Sequence, residues 1–313
     1  MKKVLTLIFV CVMLLSTAVF AADFADMPEA DHWATAALQN AVSNGLLTGS
    51  DGHIYPENNM TRAEMATIIA RACGAEKDAD ISAFTDVSTE DWFYASMSKA
   101  VAMGAFNGSG DKLNPNNPIT RQEAFVVLSR VFGLNTEEEI PTTVLESFTD
   151  SDKIDDWAKE GMAAIISKGY VGGSDGKLNP LANITRAEFA VVMDRMVKYY
   201  IDDPETTTIP TDGNVMIRVG GLKLDGVETD QMVVIGDAVG SSEISIANSN
   251  LSDLLIVRGG STVNVDGKYS DIRVVMPNIT LAGAPDGIKN IYTCPGSVYS
   301  LGTILLGNES VRQ

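Results

Sequence analysis

Histidine and cysteine are scarce in this 313-residue chain, and both shortages narrow its possible chemistry. The two histidines, His32 and His53, are too few for the Ser-His-Asp, Cys-His or His-based zinc arrangements. Three cysteines are present, and Cys11 lies in a predicted leader, so Cys73 and Cys294 do not amount to a disulfide framework. We therefore expect no catalytic residues of these types, no metal site and no cofactor.

Long apolar runs are missing after the N-terminal segment. That segment combines Lys2 and Lys3 with an apolar stretch at 4–15 and small residues at 18–22, which is the pattern of a secretory signal peptide. It predicts a leader over residues 1–22, cleaved after Ala21 or Ala22. No later stretch approaches 18 apolar residues, so we expect secretion and no membrane span after cleavage.

Positive charge is also in short supply. Losing Lys2 and Lys3 with the leader leaves 21 of the 23 basic residues against 41 acidic ones, a net charge of −20. Binding to phosphate backbones needs clustered lysine and arginine. Nucleic acid and anionic lipid are therefore not expected as partners.

The chain contains one tetrapeptide three times, at 61–64 (Thr-Arg-Ala-Glu), 120–123 (Thr-Arg-Gln-Glu) and 185–188 (Thr-Arg-Ala-Glu). Each copy follows a tryptophan by the same number of residues, at Trp33, Trp92 and Trp157. A glycine also recurs at one fixed distance after each tryptophan, at Gly49, Gly108 and Gly173. Such constant spacing indicates one supersecondary unit used three times.

Each unit is predicted to form two helices. The first begins near the tryptophan and ends at a glycine suited to a left-handed C′ position, namely Gly45, Gly104 or Gly169. The second begins at the tetrapeptide, whose Thr and Glu form a capping box. One pair cannot bury its own apolar stripe, so three pairs should pack around a shared axis with grooves between neighbours.

The arginine of each tetrapeptide is the main candidate binding residue. Arg62, Arg121 and Arg186 stand at N1, beside the positive end of a helix dipole, where an acidic residue would be electrostatically better. Arginine together with helix-start amides suits a carboxylate or phosphate ligand. The alternative is that each arginine forms a plain salt bridge with a neighbouring carboxylate.

These spaced motifs resemble the S-layer homology (SLH) domain, in which Phe-x-Asp, Trp, Gly-x-x-x-Gly, Asp-Gly and Thr-Arg-Ala-Glu follow one another. The resemblance covers about residues 24–200 and implies a pseudo-threefold helical bundle. It also implies anchoring to the cell wall through a secondary cell-wall polysaccharide, a peptidoglycan-linked glycan that often carries pyruvylated sugars. The family role of holding the acidic sugar maps onto Arg62, Arg121 and Arg186.

The tryptophans and glycines are further candidates for carbohydrate binding. Trp33, Trp92 and Trp157 would stack on a sugar face, or else pack in the core or at its rim. The three spaced glycines would let a ligand approach the backbone, although a turn with positive φ explains them equally well.

The predicted fold is α + β and multidomain. Repeats are expected at 24–75, 84–135 and 147–200, a linker at 201–214 and an all-β domain at 215–313, where short strand-like runs recur about every ten residues. This last region is similar to the small right-handed β-solenoid attached to some SLH proteins of Gram-positive bacteria. A β-sandwich is the alternative.

Three functions are compatible with this organisation. The first is a non-catalytic protein of the cell wall or S-layer surface that displays its β domain, and it is the one that we expect. The second is a wall-anchored enzyme acting on polysaccharide, with a carboxylate pair in the C-terminal domain. The third is a self-assembling lattice protein, which would associate through the β domain.

Overall fold

The computed structural model describes residues 24–134, 140–294 and 297–301. The predicted signal peptide lies outside this range, as does the end of the predicted β domain. Within the described residues, no helix has the length and apolar character needed to cross a membrane.

The described N-terminal region consists of three helix pairs. The helices are α1 (Thr35–Ser43), α2 (Arg62–Cys73), α3 (Tyr94–Ala102), α4 (Arg121–Val131), α5 (Lys159–Ser167) and α6 (Arg186–Met196). Each even-numbered helix begins with a complete capping box, in which the Thr hydroxyl accepts from the N3 amide and the N3 Glu accepts from the Thr amide. The capping boxes predicted from the sequence are therefore confirmed.

The three pairs close into a ring. Helix α2 packs on α3, α4 packs on α5, and α6 returns to pack on α1. At this last contact Asn40 of α1 donates to Asp194 of α6 over 2.6 Å. The predicted bundle with pseudo-threefold organisation is thus observed, with one apolar core running through all three repeats.

A triangle of backbone hydrogen bonds joins the repeats at the axis. The residues just before the three capping boxes are Met60, Ile119 and Ile184, all fully buried. Met60 N donates to Ile184 O, Ile184 N to Ile119 O, and Ile119 N to Met60 O, over 2.9, 3.1 and 2.9 Å. Each repeat therefore completes the backbone bonding of its neighbours.

The described C-terminal region is a parallel β-solenoid of about five turns. Its strands are β1 (Tyr199–Ile201), β2 (Val215–Ile217), β3 (Lys223–Asp225), β4 (Glu228–Thr229), β5 (Val233–Ile235), β6 (Glu243–Val257), β7 (Thr262–Val274), β8 (Thr280–Gly283), β9 (Gly287–Thr293) and β10 (Val298–Leu301). All of the strand pairs are parallel. Such stacking confirms the predicted solenoid, since a sandwich would be antiparallel.

The solenoid has its own core and one face that belongs to the bundle. Alternate side chains, such as those of Val215, Val233 and Leu255, point into the solenoid core. The residues between them form an outward row in register, and Met216, Val234 and Ile256 of this row pack in the core of the helical bundle. The two regions therefore share a buried apolar interface.

Residues 201–214, predicted as a linker, are folded against the solenoid. Ile201 ends strand β1, and Ile209 is buried in the solenoid core. Asp202 forms a salt bridge of 2.5 Å with Arg218, which lies just after β2. This segment therefore packs against the first coils of the solenoid.

Candidate functional site

The N1 arginines lie between repeats and are largely buried. Their side chains are 11–15% exposed, and each bonds to a glutamate in the capping box of the next repeat. The pairs and their N–O distances are Arg62–Glu123 (3.3 Å), Arg121–Glu188 (2.7 Å) and Arg186–Glu64 (2.6 Å). The three N1 arginines therefore form salt bridges, which was the alternative given from the sequence.

Each N1 arginine also holds the turn-rich link of the next repeat. The Nε atoms of Arg62, Arg121 and Arg186 donate to the carbonyls of Leu113, Leu178 and Ile54, over 2.7–2.9 Å. The Arg62 guanidinium lies 4.9 Å from the centre of the Phe106 ring. Burial lowers the pKa of Arg62 from its ordinary value, while Glu123 and Asp86 oppose this shift.

The helix-start amides are already occupied. Arg186 N donates to Asn58 O over 3.0 Å, and Ala187 N donates to Pro56 O over 2.9 Å. The same two bonds occur at the start of the second helix in the other two repeats. In all three repeats the hydroxyl of the capping-box Thr accepts from the N3 amide. These amides therefore do not complete an anion site, contrary to the expectation from the sequence. The family-based assignment of the arginines remains a prediction.

Two grooves open between repeats. The first groove, of about 500 Å³, is lined by residues that include Gly49, Tyr55, Glu64, Arg71, Trp92 and Arg186. The second groove, of about 350 Å³, is lined by residues that include Arg62, Phe106, Gly108, Glu123, Arg130 and Trp157. Each groove combines residues from all three repeats, so it exists only in the closed ring.

The predicted tryptophans lie at the surface. Trp33, Trp92 and Trp157 are 59%, 67% and 54% exposed, so none of them is a core residue. Trp92 lines the first groove and Trp157 the second. Trp157 Nε1 donates to Asp155 over 3.2 Å, which fixes the indole orientation. Exposed indoles offer flat apolar surfaces that suit a sugar ring.

Local backbone geometry explains why glycine occupies the three predicted positions. Gly49, Gly108 and Gly173 have φ values of 61°, 71° and 69°, which favour glycine. A Cβ at Gly49 would also collide with the Phe24 ring and the His53 carbonyl. Gly49 and Gly108 line the two grooves all the same, so backbone contact with a ligand stays a prediction.

A second set of arginines was missed by the sequence argument. Arg71, Arg130 and Arg195 lie in the last turns of α2, α4 and α6, and all three are exposed. Arg71 lines the first groove and Arg130 the second. The signal was available, because each follows its capping-box Thr by the same interval in all three repeats.

Arg71 donates to neutral groups of the protein. Its Nη1 donates to Leu46 O over 3.1 Å and to Thr48 Oγ1 over 3.5 Å, and the residue lines the first groove. No salt bridge to Arg71 occurs among the described residues. A carboxylate ligand would therefore meet a charge that no protein carboxylate has neutralised.

The described residues include no group of three or more His, Cys, Asp and Glu that could hold a metal ion. Cys73 is buried and Cys294 is half-buried, and both thiols are free.

Comparison with known proteins identifies the same three repeats as the structure. The family model of the S-layer homology domain matches residues 23–66, 83–125 and 147–190. The surface-layer 125 kDa protein of Lysinibacillus sphaericus is 33% identical over 195 residues, which are 60% of this chain and 16% of that protein. An S-layer protein of Bacillus thuringiensis subsp. finitimus is 27% identical over 270 residues, 82% of this chain and 32% of that protein.

The similarity extends to proteins named as enzymes. An amylopullulanase of Thermoanaerobacterium thermosulfurigenes is 28% identical over 165 residues, 52% of this chain and 9% of that enzyme. The chain thus spans less than a third of the length of any of these three relatives. The family match and the surface-layer relatives indicate a location at the cell surface.

Proposed function

Because the chain carries three S-layer homology domains, we propose that it is a non-catalytic anchor that binds an acidic secondary cell-wall polysaccharide in the grooves between its repeats. One observation carries this proposal. Each of the two described grooves places an exposed tryptophan beside an exposed arginine, and the two residues come from different repeats.

The groove chemistry suits a sugar that bears a carboxylate, such as a pyruvyl ketal. Arginine presents a planar fork of donors that matches a carboxylate in two parallel hydrogen bonds. In the first groove, Arg71 would supply this fork and Trp92 would stack on the sugar ring. Arg186 would add charge at the groove wall while it holds Glu64.

This arrangement explains how a strongly acidic protein would bind an acidic polymer. The chain carries 41 acidic residues, so its net charge opposes the approach of a polyanion. At physiological ionic strength that field is screened beyond about 8 Å. Contact inside a groove then depends on local donors such as Arg71 and Arg130.

The alternative functions retain anchoring by the helical repeats and differ in the role that they give to the solenoid. The relatives named as surface-layer proteins favour self-assembly as the second candidate. If the chain assembles through its solenoid, its sedimentation coefficient will rise with concentration over the micromolar range. A variant that removes a solenoid surface charge, such as that of Lys268, will shift the concentration at which this rise occurs. A concentration-independent monomer would remove this candidate.

The anchor proposal is tested with the full chain lacking residues 1–22. Binding to purified Gram-positive walls is measured by sedimentation before and after acid extraction of the secondary polysaccharide. The variants are Arg71→Ala and Arg130→Ala, and the matched control is Lys223→Ala, which removes the same charge from the exposed side of β3.

We expect binding that is lost on extraction, weakened in both groove variants and unchanged in the control. An arginine that makes a charged hydrogen-bonded contact contributes about 1.5–3 kcal/mol, so each groove should lose about tenfold or more in affinity. Binding that survives extraction, or that the arginine variants do not change, would contradict the proposal.

A further inference from the structure

One position in the repeats holds an aromatic residue where the backbone favours asparagine. Tyr55, Asn114 and Asn179 occupy equivalent places in the three links, and their φ values are 51°, 52° and 51°. Left-handed backbone is uncommon for residues other than glycine, and asparagine tolerates it far better than a bulky aromatic. Two repeats have the residue that suits this geometry, and the first repeat does not.

The left-handed geometry is imposed by the fold of the link. The carboxylate of Asp26 accepts from Ile54 N over 2.8 Å and from Tyr55 N over 2.7 Å. Asp86 and Asp150 make the same two bonds in the other repeats, where asparagine follows. Backbone bonding is therefore the same in all three links and gives no reason for a tyrosine in the first.

The Tyr55 side chain faces the first groove. It is 38% exposed and lines this groove together with Trp92, which comes from the next repeat. The His53 ring lies 5.5 Å from the Tyr55 ring at an interplanar angle of 25°, so Tyr55 is supported by stacking. A strained residue with a supported, exposed aromatic ring at a cleft points to a role in binding.

The two described grooves differ in the corresponding way. The first groove encloses about 500 Å³ and has two exposed aromatic residues in its lining. The second groove encloses about 350 Å³, and its one exposed aromatic residue is Trp157, since Phe106 is buried. The extra ring and the extra space occur together in the first groove.

We propose that Tyr55 is a second stacking platform, and that the first groove consequently binds at least one more sugar ring of an acidic oligosaccharide than the second groove does. Trp92 and Tyr55 each take one pyranose ring, and Arg71 takes the carboxylate. This inference rests on the proposed polysaccharide-binding function, and it assigns specificity for ligand length to a single residue.

The test uses calorimetric titration of the full chain lacking residues 1–22. The probes are size-fractionated oligosaccharides, from two rings upward, released by acid from a Gram-positive wall with an acidic secondary polymer. The key variant is Tyr55→Asn, which installs the residue of the other two repeats and relieves the backbone. Tyr55→Phe keeps the ring face and removes only the hydroxyl.

We expect Tyr55→Asn to melt at the same temperature as the wild type or higher, so a binding defect cannot come from misfolding. Its affinity for the longer fragments should fall by about five- to tenfold, as the loss of one aromatic stacking contact implies. Its affinity for the shortest binding fragment should not change. Tyr55→Phe should behave as the wild type at every length.

Three outcomes overturn the inference, and they are distinguishable. If the wild type binds the fragments and Tyr55→Asn binds every length equally well, Tyr55 is not a platform, while the anchoring function stands. If Tyr55→Phe loses affinity as Tyr55→Asn does, the hydroxyl and not the ring face is responsible. If the wild type binds no fragment, the proposed function fails, and this inference fails with it.

Discussion

Each second helix carries two arginines, one in its first turn and one in its last, and their surroundings differ sharply. Arg186, in the first turn of α6, is buried against Glu64 and the Ile54 carbonyl. Arg71, in the last turn of α2, is exposed beside the first groove. The first kind of arginine joins repeats, and the second kind is available to a ligand.

This difference predicts opposite effects of truncation. Arg186→Ala leaves Glu64 and the Ile54 carbonyl without their partner, so we expect the free energy of unfolding to fall by about 2–3 kcal/mol. Arg71→Ala removes hydrogen bonds to the Leu46 carbonyl and the Thr48 hydroxyl but leaves no carboxylate unpaired, so it should change the free energy of unfolding by less than about 1 kcal/mol. Urea denaturation followed by circular dichroism measures both. Equal effects would show that burial of the N1 arginine contributes little.

The sequence alone did not identify the partners of the N1 arginines, and the reason is physical. Capping is local, so the Thr and Glu roles could be derived from four consecutive residues. The partners of Arg186 lie 122 and 132 residues away, and they meet it only through ring closure. An N1 arginine is not part of the capping box, but its distant contacts join one repeat to another.

A second buried pair lies where the solenoid meets the bundle. The Arg258 side chain is 1% exposed, and its Nε donates to Asp237 over 2.7 Å. Its Nη1 donates to the Val131 carbonyl at the end of α4. A cation at a helix C-terminus is favoured by the helix dipole.

Removing one member of this pair is expected to be costly. Arg258→Met leaves Asp237 buried without its partner, so the free energy of unfolding should fall by about 3–5 kcal/mol. The double variant Arg258→Met with Asp237→Asn removes that charge and should recover part of the loss. Thermal and urea denaturation of the two variants provides the comparison. A double variant less stable than the single one would contradict this account.

At the scale of elements, the links between paired helices are organised by one carboxylate each. Asp150 receives the amides of Leu178 and Asn179 from the link of the third repeat. Asp150 precedes the first helix of its repeat, whereas the two amides belong to the link 28 and 29 residues later. Only the folded repeat brings the two segments together.

The Asp150 contacts predict a pH dependence. Burial alone would raise the pKa of Asp150, but the two amides and Lys153 lower it below the ordinary value of 3.8. A lowered pKa means that the ionised form stabilises the fold above pH 3.8, and that this contribution is lost as the pH falls through the folded-state pKa.

We therefore expect Asp150→Asn to lower the melting temperature at pH 7 and to converge with the wild type as the pH falls below 3.8. Asp152→Asn, in the same turn but exposed, is the control and should track the wild type throughout. Melting curves from pH 7 to pH 2 give the measurement. A gap between Asp150→Asn and the wild type that stays constant over this range would rule out the ionised carboxylate as its source.

The helix ends differ in what they touch. Gly45 and Gly74 both follow helices with positive φ, 70° and 60°. A Cβ at Gly45 would meet nothing within 4 Å, whereas a Cβ at Gly74 would collide with the Ala238 side chain of the solenoid. The two positions are therefore alike in backbone and unlike in packing.

This pair separates backbone strain from interface packing. Gly45→Ala should lower the free energy of unfolding by about 1 kcal/mol, which is the cost of a side chain at positive φ. Gly74→Ala should lower the free energy of unfolding by the same amount and by about 1–3 kcal/mol more, because the new methyl group overpacks against the solenoid. Chemical denaturation of both variants tests this. Equal losses of unfolding free energy in the two variants would mean that the interface accommodates the extra methyl group without destabilisation.

At the scale of the whole molecule, the solenoid and the bundle share one interface. Three arginines, at or near the ends of β2, β6 and β7, reach carbonyls at helix ends. They include Arg218, which donates to Asn44 O over 3.3 Å, and Arg273, which donates to Gly133 O over 2.9 Å. The strand spacing predicted an all-β region, and the resemblance to solenoids attached to other SLH proteins predicted its fold. Its docking was not predictable, because alternation in the strands does not reveal which outward row is covered.

Cys73 provides a probe of this interface. It is fully buried at the end of α2, where its carbonyl faces Gly236 of the solenoid. Burial raises the pKa of its thiol to about 12, although Arg258 opposes the shift. Since the thiolate is the reactive form, Cys73 should be inert while the two regions remain docked.

Alkylation by iodoacetamide at pH 8, followed by mass spectrometry, should modify the half-buried Cys294 first. Cys73 should react on the order of a hundred times more slowly. Val234→Asp places a charge in the shared core, and we expect it to accelerate labelling of Cys73 while that of Cys294 stays the same. Rapid labelling of Cys73 in the native wild type would contradict a docked interface.

The return of α6 to α1 has a consequence for how such a chain can change by duplication of its gene segments. A closed ring accommodates a fixed number of helix pairs. A fourth pair would have to break the Asn40–Asp194 contact and the triangle of hydrogen bonds at the axis. A solenoid has no such limit, and each added coil lengthens it by about 4.8 Å. Descendants of this chain can therefore vary in reach while the attachment end keeps its number of repeats.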